Sequence, residues 1–142
     1  MSVPPQPRPH PDSLPFWEGL RRGELLIQYS PLADRWQFPP LERCRHSAGP
    51  LVWRAVAGEG SVYSFIVQRQ ALAPGYRDLL PYAIALVELD DAPGVRLPTQ
   101  LVGCDPERVE VGDRVRCEIV PLPGGDFHVP VFRPIGGGAN VS

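Results

Sequence analysis

In the second half of the chain, apolar and polar side chains alternate with the two-residue period of a β-strand. Charged and apolar residues alternate through the segment Arg114–Val120. A strand here turns Val115, Cys117 and Ile119 toward a core and the charged side chains toward solvent. The segment Tyr82–Leu89 is almost wholly apolar, which predicts a central strand. This half of the chain is therefore predicted to be a β-sheet domain.

Short segments between glycine, proline and aspartate turns supply the other predicted strands. Two of them, Leu51–Ala57 and Ser61–Gln70, are joined by Gly58-Glu59-Gly60, which predicts a hairpin. A third, Phe127–Phe132, is predicted to be an edge strand, because Pro130 cannot donate a hydrogen bond to a neighbouring strand. The remaining predicted strands are Glu24–Tyr29 and Arg35–Phe38, which form a small hairpin, and Leu97–Gly103.

This pattern predicts a mostly β fold, with a five- to six-stranded OB-fold barrel as its main part. A short helix and a metal-free hairpin of the rubredoxin or zinc-ribbon kind precede the barrel. The alternative architecture is a β-sandwich, because the number of strands does not distinguish the two. The predicted parts are a Pro-rich disordered arm (1–11), the helix and degenerate ribbon (12–50), the OB-fold domain (51–135) and a flexible tail (136–142).

The short helix is predicted to begin at Ser13, which can cap it, and to end at Gly23. It places Phe16, Trp17 and Leu20 on one side. Because so short a helix is marginal in isolation, either the rest of the domain or another chain must cover this face.

Charge and cysteine content narrow the class of protein. The net charge is −2, and the fourteen basic residues are all arginines, scattered among sixteen acidic residues. This distribution argues against binding to a nucleic-acid backbone. Three cysteines, no charged-then-apolar leader and no long apolar run predict a reduced cytoplasmic protein that does not enter a membrane.

Residues 28–50 have the spacing of a zinc ribbon whose metal ligands have been replaced. Only Cys44 remains where four thiolates would lie, and Ser30, Ala33 and Ser47 cannot substitute for the others. The pair Cys44 and His46 has unusual spacing, and His10 and His128 are the only other histidines. We therefore expect no stoichiometric zinc. Apolar packing is expected to hold the hairpin, through Tyr29, Leu32, Trp36, Phe38 and Leu41.

Residue types suited to hydrolysis are present but no motif frames them. They are Ser61, Ser64, Cys104, Asp126 and His128. A nucleophile elbow of the Gly-x-Ser-x-Gly type is absent from the sequence. We therefore predict no catalytic residue.

The order of these features resembles one known family. The segments that carry the resemblance are Phe16–Leu20, Gln37–Pro40, Gly60–Phe65, Pro81–Leu89, Leu101–Cys104 and Pro130–Pro134. Their order and spacing are similar to the zinc-ribbon/OB-fold family of acyl-CoA-associated proteins, called domain of unknown function thirty-five. In that family, four zinc-binding cysteines correspond to Ser30, Ala33, Cys44 and Ser47.

The resemblance implies a non-catalytic accessory subunit that docks on a thiolase-like enzyme, such as an acyltransferase, a thiolase or a side-chain aldolase. Such a subunit forms a hetero-oligomer and helps to shape or bind the acyl-CoA site. The alternative is a stand-alone OB-fold module that binds acyl-CoA or an oligonucleotide.

The expected site residues follow from these two roles. Arginine pairs well with phosphate, so Arg54, Arg69 and Arg77 are candidates for contacts to coenzyme A. The aromatic candidates at the same site are Tyr63 and Tyr82. Exposed aromatic residues concentrate interface energy, which makes Phe16, Trp17, Leu20, Trp36 and Phe38 the candidates for the docking surface.

Overall fold

A computed structural model describes residues 6–45, 47–69 and 80–135 of the chain. Within them, one helix and eight strands follow in order. They are α1 (Leu14–Arg21), β1 (Leu25–Ser30), β2 (Arg35–Gln37), β3 (Val52–Val56), β4 (Glu59–Gln68), β5 (Tyr82–Leu89), β6 (Arg96–Leu101), β7 (Arg114–Pro121) and β8 (His128–Pro134). The predicted tail at 136–142, the start of the predicted arm and Gln70 lie outside the described residues.

Five strands close into a barrel in the order β4-β5-β6-β8-β7, with β7 returning to β4. All neighbours are antiparallel except β6 and β8, which run parallel and pair at Leu101 and Phe132. The inward side chains of β5 alternate with half-buried ones, and Phe132 and Val115 are fully buried. The predicted mostly β class and OB-fold barrel are therefore confirmed.

The prediction that β8 is an edge strand is wrong. It pairs with β7 over seven residues and also joins β6, so it closes the barrel. Pro130 lies opposite Ile119, outside the short contact between β6 and β8. Its carbonyl accepts a hydrogen bond of 3.0 Å from the Thr99 hydroxyl of β6. The Thr99 side chain thus links β6 to β8 at Pro130, which has no main-chain N–H to donate.

The N-terminal sheet, as we call β1–β3 with their connecting loops, has the strand order β2-β1-β3. The hairpin predicted between β3 and β4 is wrong, because β3 pairs with β1 from Leu25 opposite Val56 to Tyr29 opposite Val52. Gly58 has a positive φ of 82° and turns the chain from this sheet into the barrel. Its carbonyl accepts a hydrogen bond of 2.7 Å from the Cys117 amide.

Helix α1 packs against β1 and β8. Ser13 precedes it, but its hydroxyl donates to the His10 carbonyl (2.9 Å) and does not cap the helix. The chain leaves the helix through Gly23, whose φ is 84°. Phe16 and Leu20 join one core with the start of β1 and the barrel interior. The N-terminal sheet and the barrel therefore share a hydrophobic core.

We predict that Gly58→Ala lowers the free energy of unfolding by about 2–4 kcal/mol, because it adds both left-handed strain and a steric clash. A Cβ at this position would lie 2.8 Å from the Cβ of Cys117. The matched control is Gly94→Ala, which has a φ of 88° but no heavy atom within 4 Å, and should cost about 1–2 kcal/mol. Urea unfolding measures both. Equal losses would contradict the close approach of Gly58 to β7.

Candidate docking surface and ligand site

Two buried glutamines lie side by side on one face of the N-terminal sheet. Gln28 of β1 and Gln37 of β2 are directly opposite each other, and each is only 4% exposed. The Gln37 amide nitrogen lies 3.5 Å from the Gln28 side-chain oxygen. Buried amides are costly unless they are hydrogen-bonded, so their remaining partners decide whether this pair stabilises the sheet.

Those partners are main-chain groups of the loop that follows β2. Gln28 donates to the Leu41 carbonyl (2.7 Å) and accepts from the Leu41 amide (2.8 Å). The Gln37 oxygen accepts from the Arg45 amide (3.0 Å), and its nitrogen lies 3.5 Å from the Arg43 carbonyl. Two side chains thus tie residues 41–45 across the sheet by hydrogen bonds.

The four positions that the resemblance aligns with zinc-binding cysteines make local contacts. The Ser30 hydroxyl, fully buried, accepts from the Ala33 amide (3.1 Å), and the Ser47 hydroxyl accepts from the Gly49 amide (3.1 Å). Cys44 is buried, and its amide donates to the Gly49 carbonyl (3.1 Å). In the described part of the chain, no three His, Cys, Asp or Glu residues are arranged to hold a metal. His46 lies outside that part.

Two residues predicted for the docking surface are buried in the chain's own core. Phe16 is 5% exposed and Leu20 is fully buried. The prediction that they present a docking surface is wrong, because α1 turns them toward β1 and the barrel. The domain itself covers this face of the helix.

The other predicted docking residues are half-buried and pack against neighbouring aromatic rings. Trp17 contacts Phe127 at 5.6 Å between ring centres, and Trp36 contacts Tyr29 at 4.9 Å. Phe38 contacts the buried ring of Phe16 at 5.6 Å. Each therefore leaves only part of its side chain exposed to a partner.

The exposed apolar residues of the N-terminal sheet lie elsewhere. Leu32 is 72% exposed in the turn between β1 and β2, and Leu41 and Val52 are also exposed. The prediction that Leu32 and Leu41 hold the hairpin by apolar packing is therefore wrong, although Trp36 and Phe38 do make ring contacts. Each of the two leucines directly follows a proline, which is a sequence signal for a turn.

The predicted ligand residues are not brought together. Arg54 lies over the ring of Tyr29 (4.1 Å) on the N-terminal sheet. Arg69, which directly follows β4, forms an ion pair with Glu107. Tyr82 is buried beside the end of β4, where it pairs with Gln68. Arg77 lies outside the described residues.

Tyr63, the remaining candidate, is 45% exposed and lies at a bulge of β4 between Val62 and Ser64. The Arg96 guanidinium covers its ring at 3.8 Å. Because Gly60 and Val62 are buried, alternation along the strand places Tyr63 on the outer face. Tyr63 and Arg96 form a small exposed platform, separate from the Arg54 and Tyr29 pair.

A groove of about 460 Å³ lies between β3 and β7. Its walls come from Gly23, Glu24, Leu25, Ala55, Val56, Ala57, Cys117 and Ile119. Burial raises the pKa of the Cys117 thiol to about 11, and Glu118 adds to the effect. Because the thiolate is the nucleophilic form, Cys117 is a poor nucleophile at neutral pH.

The residue types suited to hydrolysis do not form a catalytic group. Ser61 lies in the β4 ladder opposite Arg114, whereas Asp126 is exposed in the β7–β8 turn. Burial, together with Asp105 and Asp113, raises the pKa of the Cys104 thiol. In the part of the chain that the structure describes, no hydrogen bond joins the side chains of Ser61, Ser64 or Cys104 to those of Asp126 or His128. None of the helices in that part is long and apolar enough to cross a membrane.

Comparison with known proteins agrees with this geometry. The family model of the ChsH2 C-terminal OB-fold domain matches residues 53–120. A solved structure described as Ltp2-ChsH2(DUF35) aldolase superposes with a TM-score of 0.80 at 32% identity, covering 91% of this chain and 98% of that one.

Two curated relatives extend the comparison. A protein of Thermomonospora curvata named probable enoyl-CoA hydratase alpha subunit is 35% identical over 132 residues, which are 92% of this chain. This chain spans only 40% of that relative's length. A DUF35 domain-containing scaffold protein of Methanothermobacter thermautotrophicus is 36% identical over 72 residues, 51% of each chain.

The fold and surface define a small OB-fold protein with a hydrogen-bonded N-terminal sheet. The chain belongs to the DUF35 family of OB-fold proteins.

We predict that Gln28→Ala lowers the free energy of unfolding by about 2–4 kcal/mol, because both main-chain groups of Leu41 lose a buried partner. Gln28→Glu, which keeps the size but cannot donate to the Leu41 carbonyl, should also destabilise the protein at neutral pH. Urea unfolding measures these changes. The control is Gln100→Ala, a half-buried glutamine on β6, which should cost under about 1 kcal/mol. Similar losses at both positions would contradict the role of Gln28.

Proposed function

We propose that this protein is an accessory subunit that docks on a thiolase-like acyl-CoA enzyme and performs no chemistry itself. The observation that carries the proposal is the match over 98% of the chain in the structure described as Ltp2-ChsH2(DUF35) aldolase. That description pairs a DUF35 chain with an aldolase component. The identity of 32% and the TM-score of 0.80 support the proposal, because the two chains share the backbone that would carry such a docking surface.

The names of the relatives support assembly with another chain. One is a hydratase alpha subunit and another is a scaffold protein. An alpha subunit and a scaffold both work in contact with further subunits. The proposal is therefore a hetero-oligomer in which the partner supplies the catalytic residues.

The state of the thiols supports the non-catalytic part of the proposal. Acyl transfer through a cysteine requires a thiolate, whereas burial raises the pKa of both Cys104 and Cys117. These two thiols therefore remain protonated at neutral pH, and an acyl-cysteine intermediate on either is disfavoured.

We propose further that contacts to coenzyme A, where they occur, come from Arg54 rather than Arg69. Arg54 is exposed and lies against the Tyr29 ring, so a cation and an aromatic edge are available together. A phosphate at Arg69 would first have to displace Glu107. No stoichiometric metal and no nucleic acid are part of the proposal.

One observation favours the rival function, a stand-alone acyl-CoA module. The groove beside Cys117 has a volume of about 460 Å³, within the range of small-ligand sites. Its apolar walls at Leu25, Val56 and Ile119 suit an acyl chain. Calorimetric titration of the isolated protein with an acyl-CoA separates the two functions, because an accessory subunit needs its partner to complete the site.

We predict that co-expression with a thiolase-like enzyme encoded beside this chain yields a complex that survives size-exclusion chromatography. Partner activity on an acyl-CoA should fall at least about tenfold without the subunit, since a misplaced substrate costs this much or more. The control is the same enzyme expressed with an unrelated OB-fold protein. If this chain does not elute with the enzyme, or if the activity is unchanged without the subunit, the proposal is contradicted.

A further inference from the structure

Most of the surface arginines that the structure describes on the barrel and after α1 are already paired. Arg22 pairs with Glu24, Arg116 with Glu59 and Arg133 with Glu118, at 3.3, 3.2 and 2.6 Å. Two further ion pairs join Arg69 to Glu107 and Arg114 to Asp90. An acidic ligand at any of these arginines would compete with a carboxylate of the same chain.

Three arginines of the N-terminal sheet are not paired in this way with a carboxylate of a described residue. Arg35, Arg43 and Arg45 are exposed, and none forms an ion pair with a described residue. Segment 28–56 contains four arginines against two acidic residues, whereas the rest of the chain contains ten against fourteen. Positive charge is thus concentrated on the N-terminal sheet of a protein that is negative as a whole.

Contacts of the buried Gln37 hold the main chain at two of these arginines. Gln37 binds the main chain of both Arg43 and Arg45, and Arg35 lies in β2, opposite Ser30. Because the side chains of alternate strand residues share a face, Arg35 shares the face of Gln37 over which the loop is tied. Arg35 and the loop that carries Arg43 and Arg45 thus lie on the same side of the sheet, and their main chain is held by hydrogen bonds, which reduces the entropy lost on binding.

Leu41 adds an exposed apolar side chain to this arginine face, which we define as Arg35, Leu41, Arg43 and Arg45. It is 38% exposed, although its main chain is bound on both sides by Gln28. Arginine is enriched in protein interfaces, and an apolar side chain surrounded by polar groups is their usual anatomy.

We infer that the arginine face binds an acidic surface of the partner protein. The inference rests on the proposed function, because it gives the chemistry of the partner surface. Charge complementarity favours an acidic protein over a nucleic acid: three arginines are too few to follow a phosphate backbone, and the acidic remainder of the chain repels one. Such a contact raises the rate of association and weakens as salt rises.

The test uses the full chain and two probes. In the first, a hexaglutamate peptide is titrated into the isotope-labelled protein, and amide and arginine side-chain shifts are recorded by NMR. Shifts concentrated at Arg35, Arg43 and Arg45 support the inference. Shifts spread over all exposed arginines, no shifts, or tighter binding of a ten-nucleotide oligothymidylate at the same residues would overturn it.

In the second, Arg43→Gln/Arg45→Gln is compared with Arg21→Gln/Arg22→Gln, a double change of equal charge at the end of α1. The first pair should raise the Kd for the thiolase-like partner about tenfold at low salt, and the control pair less than about twofold. Urea unfolding confirms that both variants fold. Equal effects of the two pairs would overturn the inference while leaving the complex intact. Absence of any complex would refute the proposed function, and the peptide titration would still decide this inference.

Discussion

Two buried glutamine side chains hold the N-terminal sheet and its long loop in one arrangement. Gln28 and Gln37 contact each other and bind the main chain at Leu41 and Arg45. Neutral amides thus connect the loop to the sheet through directed hydrogen bonds. The arrangement of this sheet therefore depends on two side chains that carry no charge.

That sheet matters for the proposed docking because it carries exposed arginines together with the exposed apolar residues Leu32, Leu41 and Val52. The shared core with the barrel, through Phe16 and Leu20, fixes its orientation, and Gly58 sets the point where the chain passes between the two. The barrel contributes the family fold and the groove beside Cys117. Most of its arginines pair with its own carboxylates, whereas Arg35, Arg43 and Arg45 of the N-terminal sheet form no ion pair with a described residue.

Local patterns predicted the barrel strands, because alternation in segments such as Arg114–Val120 depends only on neighbouring residues. Non-local pairing was the source of the errors. The glycines around Glu59 look like a hairpin turn, yet β3 finds its partner in β1, which precedes it by some 25 residues. The roles of Gln28 and Leu41 could not be predicted either, since an amide in a strand does not reveal a partner thirteen residues away. The burial of Phe16 could not be predicted from the helix alone, because it depends on the core that α1 shares with β1 and the barrel.

Metal analysis combined with unfolding in the presence of a chelator decides whether the hydrogen bonds of Gln28 and Gln37 or a bound metal hold the N-terminal sheet. We expect far less than one zinc per purified chain, and the same urea midpoint with and without excess chelator. About one zinc per chain, lost together with the folded N-terminal sheet when chelator is added, would contradict this expectation.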